Sequence, residues 1–186
     1  MGTNKAVLSF GGQPLIEGLL NKIRPLFPEI LIIANESAPY ADLDVPVLPD
    51  RIPDKGSLGG IYTAVHHSKY PQTFCIACDM PLANPGVIAY LRDQAPGFDV
   101  VVPRTADGYQ PLHAVYGKTC LPRMEAMIRA DSLKIDRLFP SVRVRTIEAE
   151  ELRPLDPSLR CFVNVNTREE LTAAMRLAGE GEDESR

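Results

Sequence analysis

One block limits the possible folds more than any other part of the chain: Phe-Cys-Ile-Ala-Cys-Asp-Met-Pro at positions 74–81. A buried central strand shows itself in sequence as a short apolar run rather than an alternating one. Asp79 then falls where the strand leaves the sheet, and Pro81 removes a backbone donor and helps stop the ladder. In open parallel α/β sheets, ligands bind just beyond the carboxyl ends of the strands. A carboxylate at such an end can hold a divalent metal or a ribose hydroxyl. Asp is also a favoured N-cap residue, so Asp79 could equally cap the next helix. On this block alone both readings stand.

Helical and extended signals alternate around it. Residues 14–27 place Leu15, Ile16, Leu19, Leu20, Ile23 and Leu26 at helical spacing, closed by Pro28. Strands are expected at 29–34, ending at Asn35, at 45–48, ending at Asp50, and at the block ending in Asp79. Further strands are expected at 98–103, 112–116 and 142–147. Helices are expected at 57–68, 85–94, 121–129 and 167–178, with helical material at 132–138. Strands that alternate with helices predict a three-layer α/β domain with a mostly parallel sheet. The polar strand ends Asn35, Asp50 and Asp79 would gather at one edge, and a glycine-containing loop follows Asp50. That pattern predicts a nucleotide crevice.

Bulk properties exclude several classes. The chain has 186 residues, 45% hydrophobic and 24% charged, which suits one globular domain. Its formal net charge is −4, and residues 179–186 hold four acids and one arginine, so the body is close to neutral. No basic excess points to nucleic acid. Residues 1–178 are expected to form a single domain, and 179–186 an acidic, disordered tail. No apolar run of about 18 residues predicts a membrane span. No signal-peptide pattern appears, and position 6 is Ala6 where a myristoylation motif needs Ser or Thr, so a cytoplasmic protein is expected. Cys75 and Cys78 match a C-x-x-C spacing, but within a strand residues three apart point to opposite faces. They read as small core residues.

The N-terminal residues Met1-Gly-Thr-Asn-Lys5 and Gly11-Gly-Gln-Pro-Leu-Ile16 resemble the signature of nucleotidyltransferases that activate sugar, pterin and related phosphates. Asn35, Asp50, Gly56-Ser-Leu-Gly-Gly-Ile61, Cys78-Asp-Met-Pro81 and Asn164-Val-Asn166-Thr167 follow in family order. With them, the chain is similar to the molybdenum cofactor guanylyltransferases from Met1 to about Ala178. The resemblance implies a Rossmann-like nucleotide-diphospho-sugar transferase fold. It also implies an Mg²⁺-dependent transfer of GMP from GTP to the phosphate of molybdopterin, with release of pyrophosphate. Lys5 would contact the GTP phosphates, Asn35 and Asp50 would hold the nucleoside, and Asp79 would ligate the Mg²⁺. His113, Asn164 and Asn166 match positions toward the pterin. Molybdoenzyme-maturation proteins are the implied partners, with no nucleic acid and no membrane. Relative to the family signature, the first strand, the Gly-rich loop and an Arg are expected ahead of Met1, so weakened GTP binding is expected of the chain as it stands.

Such transfer asks mainly for positioning and charge neutralisation, with no protein nucleophile. Mg²⁺ keeps several waters and needs only one or two carboxylates besides phosphate. Plainer readings exist for each residue. Lys5 could be a surface lysine, Asn35 a turn former and Asp50 an ion partner of Arg51. Gly59-Gly60 inside a helix costs about 1 kcal/mol per glycine against alanine, which points to close backbone approach. His66 and His67 do not share a helix face and read as surface residues. A cytidylyltransferase, a noncatalytic nucleotide- or pterin-binding module and a sugar-phosphate nucleotidyltransferase are the alternatives. The glycines of 56–61 favour guanine over the Ser-rich stretch of the cytidylyl relatives, and the shortness of the chain disfavours the sugar enzymes.

Overall fold

A computed structural model describes residues 8–183 of the chain. Two short antiparallel strands come first, β1 (Ser9–Phe10) and β2 (Gln13–Pro14). Gly11 (φ +60) and Gly12 (φ +87) make the turn between them, since two positive φ values in succession favour glycine. Helix α1 (Leu15–Ile23) buries Leu15, Ile16, Leu19, Leu20 and Ile23 along one stripe. Strands β3 (Ile32–Ile33) and β4 (Val47–Leu48) form a parallel pair.

The larger sheet has five strands. They are β5 (Gln72–Ile76), β6 (Val100–Thr105), β7 (Gly108–Tyr109), β8 (His113–Gly117) and β9 (Val144–Glu148), in the order β5-β8-β6-β7 with β9 on β6. β9 runs parallel to β6, whereas β8 runs antiparallel to both β5 and β6. The three-layer α/β expectation holds, and β8 adds an opposed strand in its middle. The chain returns from β6 to β8 through the hairpin with β7, and a parallel return needs a crossover of a dozen or more residues.

Helices cover both faces. Val100 and Val102 of β6 pack with helices α2 (Gly56–His67) and α4 (Leu121–Arg129), while Val101 points to the opposite cluster with α3 (Pro85–Asp93) and α5 (Ala149–Leu152). This alternation along a strand follows from the pleat. The cysteines are separated too, though not by the pleat: Cys75 lies in β5 and joins the α2 side, whereas Cys78 falls in the turn beyond the end of that strand and packs on the α1 side. All four cysteines are free. The final helix, α6 (Arg168–Asp183), continues past Ala178 into the stretch expected to be a disordered tail. No helix among the described residues is long and apolar enough to cross a membrane.

Asp99 ties the sheet together at its lower end. Its carboxylate accepts from the Thr119 hydroxyl at 2.7 Å, from the Arg143 backbone at 2.9 Å and from the Arg143 guanidinium at 3.0 and 3.1 Å. Its own backbone carbonyl accepts from Gly117 N–H at 2.7 Å. The Arg143 bonds, with the Thr119 hydroxyl, hold this carboxyl well below the usual range. A depressed carboxyl stabilises the fold above its unfolded value of 3.8, and that contribution is lost as pH falls toward the folded value. Asp99→Asn is expected to lower unfolding free energy by about 1–3 kcal/mol at neutral pH. Urea denaturation should show the gap to the parent closing on acidification; a gap independent of pH would show that the charge is not the cause.

Candidate active-site crevice

The polar strand ends meet as pairs. After β3 and β4, Asn35 and Asp50 face each other: the Asn35 side-chain oxygen accepts from Asp50 N–H at 2.9 Å, and its amide nitrogen donates to Asp50 Oδ2 at 3.3 Å. Asp50 Oδ1 is buried with no hydrogen-bond partner among the described residues. Gly60 of α2 lies over it, and a Cβ there would stand 3.9 Å from Oδ1. The helix therefore leaves room above the carboxylate at the point where Gly60 interrupts its side-chain surface. Gly59 has a different task. A Cβ on it would come within 2.9 Å of Lys55 Cβ, so its glycine serves packing of the loop that enters α2. Thr63 fastens the same loop, accepting from Arg51 N–H at 3.0 Å.

The second pairing centres on Asp79. β5 ends at Ile76, and Ala77 N–H makes one further bond to the Leu112 carbonyl. Asp79 follows at the sheet edge, and its carbonyl accepts from Val165 N–H at 2.8 Å. That bond brings the exposed Asn164 and Asn166 beside the Asp79 turn, although they lie far along the chain. The capping alternative for Asp79 is resolved by Asn84. The Asn84 side chain accepts from Gly86 N–H at 2.8 Å and Val87 N–H at 3.4 Å, with Pro85 opening α3. Asp79 is thus left at the crevice, and a cavity of about 700 Å³ reaches from between β3 and β5 to Ser57, Gly60 and Asp79.

His113 does not line this crevice. Its side chain is fully buried, with Nδ1 3.5 Å from Met80 Sδ and ring contacts to Phe74 and Phe162 at 5.3 and 5.0 Å. The expectation that it meets a ligand is corrected to a place in the core beneath the Asp79 turn. Lys5 lies outside the described residues. His66 and His67 sit at the end of α2, away from the strand ends.

Lys22 of α1 was not foreseen from the sequence. Its Nζ donates to the Pro81 carbonyl at 2.7 Å, and burial lowers its pKa. It joins α1 to the chain just after Asp79. No local pattern could reveal this, because the two residues are distant in sequence. Asn84-Pro85, by contrast, carries a legible helix-start signal.

Among the described residues, no group of three His, Cys, Asp or Glu could hold a metal ion. The carboxylate oxygens at the strand ends would fit a hard cation that takes its remaining ligands from water or a bound anion.

Fold and crevice together define an α/β domain of the nucleotidyltransferase type. The family model for the MobA-like NTP transferase domain matches residues 1–143, and the chain belongs to that family. A relative from Pelotomaculum thermopropionicum, described as a probable molybdenum cofactor guanylyltransferase, is 35% identical over 96% of this chain and 87% of its own length. The molybdenum cofactor guanylyltransferase of Desulfosudis oleivorans is 32% identical over 93% and 86%. The solved structure of molybdopterin-guanine dinucleotide biosynthesis protein A from Archaeoglobus fulgidus superposes with a TM-score of 0.81 at 26% identity, covering 96% of this chain and 92% of that one. The 2-C-methyl-D-erythritol 4-phosphate cytidylyltransferase of Thermus thermophilus shares the fold, with a TM-score of 0.70 at 18% identity over 94% and 93% of the two chains.

Burial lowers the His113 pKa to about 3 from an ordinary 6.5, opposed by the Asp156 charge. The group is neutral in the fold, so it costs nothing above pH 6.5, and stability falls as pH drops from there toward 3. His113→Phe is expected to reduce the difference in melting temperature between neutral pH and about pH 4.5. An unchanged difference would remove His113 from the acid response.

Proposed function

We propose that this chain transfers GMP from GTP to the phosphate of molybdopterin, giving the guanine dinucleotide form of the cofactor. A terminal oxygen of the pterin phosphate attacks the α-phosphorus of GTP. The new P–O–P bond forms as the bond to the β-phosphate breaks, and pyrophosphate leaves. The observation that carries this reading is Asp50 Oδ1, buried beside Gly60 with no hydrogen-bond partner among the described residues. An ionised carboxylate only accepts, so a buried orphan oxygen calls for an N–H or O–H donor, which a guanine edge or a ribose supplies. Asn35 fixes the rotation of Asp50 and so aims that oxygen. The relatives described as molybdenum cofactor guanylyltransferases support the substrate pair.

Asp79 would hold an Mg²⁺ together with the phosphates, and the ion would offset the charge that builds on them during transfer. Asn164 and Asn166, held beside Asp79 through Val165, would meet the pterin side. Lys5 would act as a point charge toward the triphosphate. The pterin phosphate is ionised near neutral pH, so the crevice needs no general base.

The test supplies GTP, Mg²⁺ and molybdopterin to the protein and follows dinucleotide and pyrophosphate, with calorimetry of GTP and CTP alongside. Asp79→Ala should lower turnover by about 10²-fold or more. Asp50→Asn should weaken GTP binding roughly tenfold, about 1.4 kcal/mol, with the melting temperature nearly unchanged. Turnover or binding of CTP in preference to GTP would overturn the guanine assignment, and GTP binding without any product would reduce the chain to a binding module.

A further inference from the structure

His113 opens β8 opposite Ile76, the last residue of β5, so its ring lies under the point where the chain turns out of the sheet toward Asp79. There it touches two segments that meet at the crevice. Nδ1 is 3.5 Å from the sulfur of Met80, the neighbour of Asp79, and the ring stands edge-on to Phe162 at 5.0 Å, two residues ahead of Asn164. Phe74 of β5 supports the ring from a third side, also edge-on, at 5.3 Å. His113, Met80 and Val165 are all almost fully buried.

Histidine is a poor choice at this position for stability alone. Methionine sulfur only accepts a hydrogen bond, so in the neutral ring the contact to Met80 places the proton on Nδ1 and leaves Nε2 as an acceptor. Nε2 is buried with no hydrogen-bond partner among the described residues. Leaving such a group unpaired costs about 1–3 kcal/mol. A phenylalanine would fill a similar volume and keep the edge contacts without that penalty. Local choices that oppose stability gather where function asks for them.

What the imidazole adds is direction. Methionine is unbranched and flexible, and by itself specifies its surroundings weakly. A hydrogen bond to its sulfur selects one arrangement of Met80, which is joined to Asp79 by a single peptide bond. The Met80 carbonyl accepts from Ala83 N–H at 3.3 Å, so the residue held by His113 belongs to the turn itself. On its other side the ring meets Phe162, in the short helical turn Arg160–Phe162 that leads to Val165. Val165 N–H then bonds the Asp79 carbonyl. His113, Met80, Asp79, Val165 and Phe162 thus close a ring of contacts that fixes the two segments against each other from beneath.

We infer that His113 is a positioning residue: through Met80 and Phe162 it sets the place of Asp79 relative to Asn164 and Asn166, and so the fit of the cation to the second substrate, without touching either. This rests on the reading of Asp79 as the metal side of the crevice and of the two asparagines as its pterin side. The Asn35–Asp50 half, which takes the nucleoside, lies outside the ring of contacts. Misplacing a reacting group by about 1 Å can cost roughly 10²-fold in rate.

His113→Phe, Met80→Leu and the double variant test this. Both replacements keep a buried apolar side chain of similar volume and remove the contact from Nδ1 to Sδ. In each single variant kcat with molybdopterin should fall about tenfold, and the Mg²⁺ concentration for half-maximal turnover should rise about fivefold. The double variant should be no slower than the slower single one, because both substitutions remove the same contact. GTP affinity measured without Mg²⁺ should stay within about twofold of the parent. The melting temperature of His113→Phe at neutral pH should not fall. Effects that multiply in the double variant would overturn the inference, as would unchanged kinetics or a parallel loss of GTP affinity. Absence of product from the parent would overturn the reaction instead, and hydrogen exchange of the Val165 amide would then decide the positioning role. That exchange should be about fivefold faster in the single variants and no faster still in the double one. Unchanged exchange would leave His113 as core packing and nothing more.

Discussion

Strand β5 hydrogen-bonds to β8 through alternate residues, and the end of that ladder decides where Asp79 stands. Backbone N–H and C=O groups buried in a sheet must be paired, so the last paired residue of a strand is also the last one held rigidly. Ala77 makes that last bond. Asp79 then turns out of the sheet on a short, firmly anchored piece of chain. Val165 closes the turn from one side, and Lys22 holds Pro81 from another. A carboxylate positioned this way would need little further ordering to take up the proposed cation, which suits chemistry that depends on positioning.

The other half of the crevice rests on a different kind of support. Asn35 and Asp50 end two neighbouring parallel strands, and each holds the other through side-chain and backbone bonds. Gly60 keeps the space above Asp50 open while α2 packs closely below through Leu58 and Ile61. The cavity between β3 and β5 lies between these two halves.

Much of this was legible in the sequence. The helical stripe of α1, the apolar block ending at Asp79 and the succession of polar strand ends are local patterns, produced by side chains that must face a core at period 3.6 or 2. The placing of both Cys75 and Cys78 within one strand did not hold, since β5 ends at Ile76 and Cys78 lies in the turn that follows. His113 was not legible, since a histidine beside Leu112 reads the same whether its strand is an edge or a centre. Its neighbours Phe74, Met80 and Phe162 come from three other segments. Nor could the reading reach Lys22, whose partner lies across the fold.

By itself the sequence determined the longer elements, their order, the α/β layering and the polar residues that follow β3, β4 and β5, because those depend on contacts within a turn or two of the chain. The short β1, β2, β7 and α5 lay outside that reading. Tertiary structure decided the direction of β8, the bond from Val165 that carries Asn164 and Asn166 to Asp79, the burial of His113 and the cavity between β3 and β5. The reason is physical. Strand pairing and side-chain burial are settled by which backbone edges find partners at long range, and no local periodicity encodes the identity of a partner.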